Sequence, residues 1–450
     1  MGTFLKSPEG QYKLAHEYKA KRTEKDTKIT RRSELISASI DVIEHADQNE
    51  TTSYVTLNSP GNITFYNLTK QGTTKILSCS GAVPICHKIN RVSSFTKEQN
   101  LDIIVGFSTG DIAIVTQKSP NLTFNANKVV DKTGVKCVSW GPPSNRRRES
   151  DLFLAGHESG NVYVYNKMLL PSEEESLIPP DGKYNENQFF AIQREVRRVN
   201  PISRIRTSNA PITDIKFSPN GQLLAVASMD GHLYVIDFVN LKLHLVFQSF
   251  YGAVLCCCWS PDARYIVTGG EDDLISVYNV QERCILARGR GHSSYVSKVT
   301  FDTDQCDSDR YRIVSAGQDT RLILWDIDKQ EQIVDGAVDI IDGKKKQTST
   351  APKKDEPILV RSRPQNEVPY FEPVGVKAHA DPLRDVITFS KGIITICNQG
   401  VVRLWSRPSK DSSPVGADYV DESGQEEEQQ ELHHNDLDLE LMQDDTKNDL

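Results

Sequence analysis

The stretch Trp259–Val280 reads WSPDARYIVTGGEDDLISVYNV. A bulky aromatic, a Ser-Pro turn, a β-branched apolar run, an acidic turn and a second apolar run follow one another within 22 residues. The same grammar stands upstream in FSPNGQLLAVASMDGHLYVIDFV, Phe217–Val239, and more loosely downstream in VSAGQDTRLILWDID, which ends at Asp328. Short apolar runs bounded by Gly, Pro, Asn and Asp read as strands joined by tight turns, not as helices.

The unit recurs in a fixed frame. A turn residue stands six positions before the apolar or aromatic residue that ends each unit: Asp230 before Ile236, Asp272 before Tyr278 and Asp319 before Trp325, in steps of 42 and 47 residues. Weaker copies set Pro60 before Tyr66, Thr109 before Val115, Ser159 before Tyr165 and Gln399 before Trp405. Gly291-His292 opens the unit that closes with Trp325-Asp326, and His379 stands to Leu383 and Val386 as His292 stands to Val296 and Val299. A period of about 40 to 45 residues with four strands per unit and this punctuation denotes an all-β, seven-bladed WD40-type β-propeller. In such a turn a short carboxylate accepts backbone N–H groups and a nearby His or hydroxyl donor. Asp230, Asp272 and Asp319 therefore read as blade-turn residues, His292 as a structural histidine, and Trp325, Trp259 and Phe217 as core aromatics. Recurrence at a fixed frame marks architecture rather than catalysis.

Composition bounds the rest. Of the net charge of -8, the segment from Lys410 onward carries -12 and the remainder +4. A nearly neutral body argues against nucleic-acid binding. No segment reaches the ~20 apolar residues of a membrane span, and the N-terminus MGTFLKSPEGQYKL lacks the pattern of a secretory signal. The nine cysteines, three of them consecutive at Cys256–Cys258, suit reduced, buried thiols, and no CxxC pair offers a zinc site. The Asn-x-Thr triplets at Asn49, Asn62, Asn67 and Asn121 read as chance in a chain without a signal. The expected setting is the cytoplasm. The Lys run in DGKKKQTSTAPKKDEP raises the nucleus as a second address, although a solvated loop is the preferred reading of it.

The organisation expected is an N-terminal extension over 1–50, a propeller over 51–408 with insertions at about 168–205 and 336–369, and a disordered acidic tail over 409–450. An N-terminal strand, Ser33–Ile43 or another piece of the first fifty residues, should close the ring and so hide a sheet edge. Leu432, Leu437, Leu439 and Leu441 in the tail loosely resemble an export or docking motif.

The sequence carries no phosphate-binding Gly-rich loop, no His-Glu-x-x-His and no Gly-x-Ser-x-Gly. His433-His434 lacks the further ligands of a metal site. No metal, cofactor or catalytic residue is expected, and a binding module is the default. The loops before the innermost strands share one face of a propeller, and there stand Phe250-Tyr251 ahead of Val254 and Tyr295 ahead of Val296. Exposed aromatics make good interface anchors, and Arg288 and Arg290 in ARGRGH are placed to pair with acids on a partner.

Several strings go beyond a generic propeller: DIIVGFSTGDIAIV, LFLAGHESGNVYVYN, SFYGAVLCCCWSPDARYIVTGGEDDLISVYN, ARGRGHSSYVSKVTFD and SAGQDTRLILWD. Together they resemble, in order over residues 4–408, the WD-repeat family that includes fungal CreC and mammalian DMWD. The resemblance implies a non-catalytic partner that binds and activates a ubiquitin-specific protease of the CreB type, through aromatics at the positions of Tyr251 and Tyr295. Relatives commonly have Phe and Trp there. A second WD-repeat protein in the complex is left open. The rival expectation is a general scaffold or reader of peptides or histone tails that uses the central funnel.

Overall fold

The computed structural model describes residues 4–19, 40–47, 50–59, 62–68, 70–78, 82–90, 102–115, 122–125, 130–142, 151–171, 189–194, 199–328, 358–364, 367–371 and 373–408. Apart from one 3-10 turn at Thr303–Gln305, the regular structure among these residues is β-strand. The strands form seven antiparallel blades, each with strands a to d counted outward from the axis. The a strands of blades 1 to 7 are Ile40–Asp47, Pro84–Ile89, Val135–Trp140, Ile212–Phe217, Val254–Trp259, Val296–Phe301 and Leu383–Phe389. They contact one another in that order and the last returns to the first, so the sheet series closes into a wheel.

Each sheet packs between two neighbours, and the apolar residues gather accordingly. Among the described residues seven core clusters occur, one at each blade-to-blade interface; that between blades 5 and 6, for example, joins Cys256, Val267 and Val277 to Val296, Ile313, Ile323 and Trp325. A b strand is covered on both faces, which is why Tyr265–Gly270 is buried throughout and reads as a continuous apolar run instead of an alternation. Close packing also explains three glycines. A Cβ at Gly106, Gly156 or Gly269 would come within 3 Å of a cysteine on its own blade's a strand (Cys86, Cys137) or of Val296 on the next blade, where Cys256 lies 3.1 Å away. Burial pushes the Cys86 and Cys256 thiols up to about 12, and every described cysteine is free. These thiols act as small hydrophobes.

Charged residues on the innermost strands lock neighbouring blades. Asp41, Asp214 and Asp385 accept backbone N–H bonds from Ile89, Cys257 and Ile40, each on the next blade round the ring. Lys298 of blade 6 reaches Asp214 of blade 4 at 2.8 Å. Burial alone would raise the Asp214 carboxyl, but Lys216 and Lys298 outweigh it and hold it well below the usual carboxylate range.

Of the two candidates for ring closure, another piece of the first fifty residues serves and Ser33–Ile43 does not. The strand Gly10–Lys19 supplies the fourth strand of blade 7, pairing with Val401–Ser406, and Phe4–Ser7 adds a fifth outside it. Ile40–Asp47 instead forms the axis-lining strand of blade 1. The turn between the first two strands carries Glu9, whose carboxylate meets the fully buried Arg312 of blade 6 at 2.5 and 2.8 Å; Asp326 takes the other side of that guanidinium at 2.6 Å. Arg407, just after blade 7, binds Asp302 of blade 6 in bidentate fashion at 2.6 and 2.7 Å. Two arginine forks thus pin the closing strand to the preceding blade, a geometry that favours a single register.

The described parts of both insertions pair with the propeller. The segment 168–205 ends in Ser203–Arg206, the d strand of blade 3, with Phe190–Gln193 paired outside it. Between strands c (Arg321–Asp328) and d (Val374–Lys377) of blade 6, the described part of the second insertion contains Ile358 and Val368, both buried. The lysine-rich run and the acidic tail with its leucines and His433-His434 lie outside the described residues.

Candidate interaction face

The turns between strands b and c and the loops entering strand a share one face of the wheel, and blade 6 shows their full chemistry. Asp319 accepts from His292 Nδ1 at 3.0 Å and from the backbone N–H of Ser293 and Arg321. His292 Nε2 lies 2.7 Å from Ser315 Oγ, which in turn accepts from Trp325 Nε1 at 2.8 Å. Burial would raise the Asp319 carboxyl, but the His292 contact outweighs it and holds the pKa down. The order Asp–His–Ser is that of a hydrolytic triad. Here Ser315 is fully buried and committed to Trp325, so no substrate reaches it.

Other blades keep parts of this chain. In blade 7, His379 bonds Thr395 Oγ1 at 2.8 Å and Thr395 accepts from Trp405 at 3.1 Å, with Gln399 in the Asp place; burial lowers His379 to about 3. Blade 3 inverts the pair: Asp131 stands in the entering loop and Ser159 in the turn, at 2.6 Å. In blade 4, Asp230 accepts from the His232 N–H at 3.0 Å and the Tyr234 hydroxyl at 2.7 Å; burial opposes this, yet the carboxyl falls to about 2.

Blade 5 breaks the pattern. Four residues before Val254 stands Phe250, where His292 stands four before Val296. Asp272 therefore has no ring donor; it accepts from Leu274 N–H at 3.2 Å, and burial raises it to about 6. Phe250 is 38% exposed, Tyr251 72% and Tyr295, on the neighbouring loop, 41%. Met229, 42% exposed, joins them from the blade 4 turn, which packs on the same loop: Ser249 N–H donates to Gly231 O at 2.9 Å. Tyr370 adds a ring at the rim, with the exposed Arg290 guanidinium 5.4 Å from its centroid. The face over blades 4 to 6 thus presents five large apolar side chains and one arginine, the composition of an interface core rather than of ordinary surface. Sequence reasoning missed Met229 and Tyr370. An apolar residue inside the SMDG turn was the available signal for the first, and nothing in the frame pointed to the second.

Arg288 corrects the expectation that it meets a partner. It is fully buried, donates from Nη2 to Ser362 Oγ at 2.9 Å and to Arg363 O at 3.0 Å, and lies 4.9 Å under the Phe250 ring. Arg290, two residues further along the same strand and therefore on the same side of it, stands exposed at the strand's end, so coverage by residues 362–363 and 369–371 and not alternation separates the two environments. Among the described residues no group of three His, Cys, Asp or Glu side chains could hold a metal ion.

The chain is a WD-repeat β-propeller. The family model described as WD domain, G-beta repeat matches residues 200–237, 243–279 and 283–326. A protein of Schizosaccharomyces pombe named UBP9-binding protein bun62 is 31% identical over 364 residues, which span 73% of this chain and 65% of that relative. The chain therefore covers about two thirds of the relative's length. A chain in the crystal structure of a mitotic checkpoint complex superposes with a TM-score of 0.52 at 12% identity, over 86% of this chain and 98% of that one, a likeness of fold alone.

Proposed function

We propose that the protein is a non-catalytic partner that binds and activates a ubiquitin-specific protease of the CreB type, through the face carrying Tyr251, Tyr295, Phe250 and Met229. The observation that carries the reading is the exposed Tyr251, 72% accessible, on a face that also exposes Phe250, Tyr295 and Met229. Its support is the relative named for binding UBP9, together with the resemblance to the CreC and DMWD family. Aromatic rings bury large area at small conformational-entropy cost, and a few such anchors carry most of an interface's energy. Activation then requires only that the propeller bind the competent arrangement of the protease more tightly than the idle one; a preference of about 1.4 kcal/mol shifts that equilibrium tenfold.

The test mixes the purified full chain with the ubiquitin-specific protease that co-purifies with it and follows cleavage of a fluorogenic ubiquitin substrate. Acceleration that the Tyr251→Ala, Tyr295→Ala double variant abolishes supports the reading. Absence of acceleration removes the activating role, and equal acceleration by the double variant removes the site. Recovery of histones or unrelated subunits in place of a protease would favour the general scaffold.

A further inference from the structure

Phe250 occupies the position that blade 6 fills with His292, so its loop lacks the carboxylate-imidazole chain that fixes the equivalent loop there. Local bonds hold the ends of the loop, Ser249 N–H to Gly231 O, Ser249 Oγ to Gly252 O and Ala253 N–H to Glu271, and the Phe250 ring has a support of its own. That support comes from the blade 6 insertion, whose described residues lie along the outer strands of blades 4 and 5. Ile358–Val360 pairs in parallel with Leu245–Phe247 on the outer strand of blade 4, and Tyr370–Phe371 pairs in parallel with Arg288–Gly289 on that of blade 5. Ile358 and Val368 enter the same apolar cluster as Leu245, Phe247 and Tyr278.

Between those two anchors the segment meets Arg288 three times. Ser362 Oγ and Arg363 O accept from Nη2, and Pro369 O accepts from the Arg288 backbone N–H at 2.9 Å. Arg288 Nε and Nη1 find no hydrogen-bond partner among the described atoms, so the polar contacts of this buried side chain come from the strap. The face of the guanidinium supports the Phe250 ring at 4.9 Å, a cation–π contact that gains strength away from water. A buried cation held on one side and stacked on the other transmits position: move the strap, and the floor beneath Phe250 moves.

We infer that residues 358–364 and 367–371 form a positioning strap that sets the Phe250-Tyr251 loop through Arg288. Arg288 is thus a positioning residue for partner recognition, not a contact, and partner affinity is open to regulation through the blade 6 insertion. The effect on affinity rests on the docking reading above; the effect on the loop does not.

Hydrogen exchange on the free full-length protein, followed by titration of the co-purifying protease, tests both parts. Arg288→Met keeps the length of the side chain and removes its donors. It should speed exchange of amides 249–253 about tenfold while blades 1 to 3 stay unchanged. It should also weaken the protease about tenfold, with partial rescue in Arg288→Lys. Leu359→Pro breaks the strap's pairing on blade 4 at an exposed side chain and should loosen the same amides, which keeps the inference testable should Arg288→Met fail to fold. Val239→Ala, on an exposed turn of the opposite face, should change neither reading. Unchanged exchange at 249–253 in Leu359→Pro and in folded Arg288→Met overturns the strap. A loosened loop with undiminished binding in Tyr251→Ala overturns the docking reading alone.

Discussion

Blades 5 and 6 share a frame, a neighbouring position and an apolar interface, yet they solve the same turn in opposite ways. In blade 6 the imidazole of His292 lies inside, joining Asp319 to Ser315 and Trp325, and the turn satisfies its own polar groups. In blade 5 the corresponding side chain is Phe250, which lies partly exposed and leaves Asp272 without a ring donor. The comparison teaches that the two demands on a propeller face, internal polar satisfaction and an aromatic surface, compete for one position. Where the surface wins, the support moves to Arg288 and a segment from another blade.

The comparison breaks if the blade 6 chain proves dispensable. Trp325→Ala removes a fully buried ring and the Ser315 partner, and should cost about 4 kcal/mol in denaturant unfolding. His292→Phe imposes the blade 5 solution without the strap; Asp319 and Ser315 each lose a partner, for a loss of about 2 kcal/mol and no gain in protease binding. A cost near zero for either would show that the hydrogen-bond chain is not what separates the blades. Tyr251→Ala should weaken protease binding by about 2 kcal/mol, roughly thirtyfold, with the melting temperature unchanged, as isothermal titration and thermal melts would report.

The remaining expectations are smaller and sharpen the contrast between the two carboxylates. Burial raises Asp272 to about 6, so its neutral form is favoured by folding; that contribution is complete below the ordinary carboxylate pKa and is lost as the pH rises through about 6. Asp319 is lowered, so its contribution is present above the ordinary value and is lost as the pH falls through its depressed pKa. Asp272→Asn should therefore stabilise the protein by about 1 kcal/mol at pH 7.5 and flatten its stability profile between about pH 4 and 6. Asp319→Asn should destabilise at the same pH. Opposite signs in urea titrations support the distinction, and equal signs remove it. Smallest of all, Gln399→Asp gives blade 7 the acid that His379 lacks and should stabilise by about 0.5 kcal/mol, with the imidazole pKa rising by NMR.

Much of the architecture was written in the chain. The recurrence of Asp230, Asp272 and Asp319 six residues before a bulky apolar residue, with His292 and Trp325 at set offsets, defines the blades because each strand and turn is made by neighbours in sequence. The exposure of Tyr251 and Tyr295 also follows, since loops entering the innermost strand must lie on a face. Contacts between residues far apart in sequence were not legible. Nothing local distinguishes Gly10–Lys19 from Ser33–Ile43 as the closing strand; Glu9 selects the former by meeting Arg312, about 300 residues away, a pairing that exists only once the wheel has closed. Arg288 and Arg290 read alike in ARGRGH, and only the parallel addition of Tyr370–Phe371 buries one and leaves the other outside. Sequence alone determined the repeat, its turn chemistry and the face that carries the aromatics, because these depend on spacing within a unit. The tertiary structure decided which strand seals the ring, which arginine is buried and what supports Phe250, because these depend on distant segments meeting at one edge.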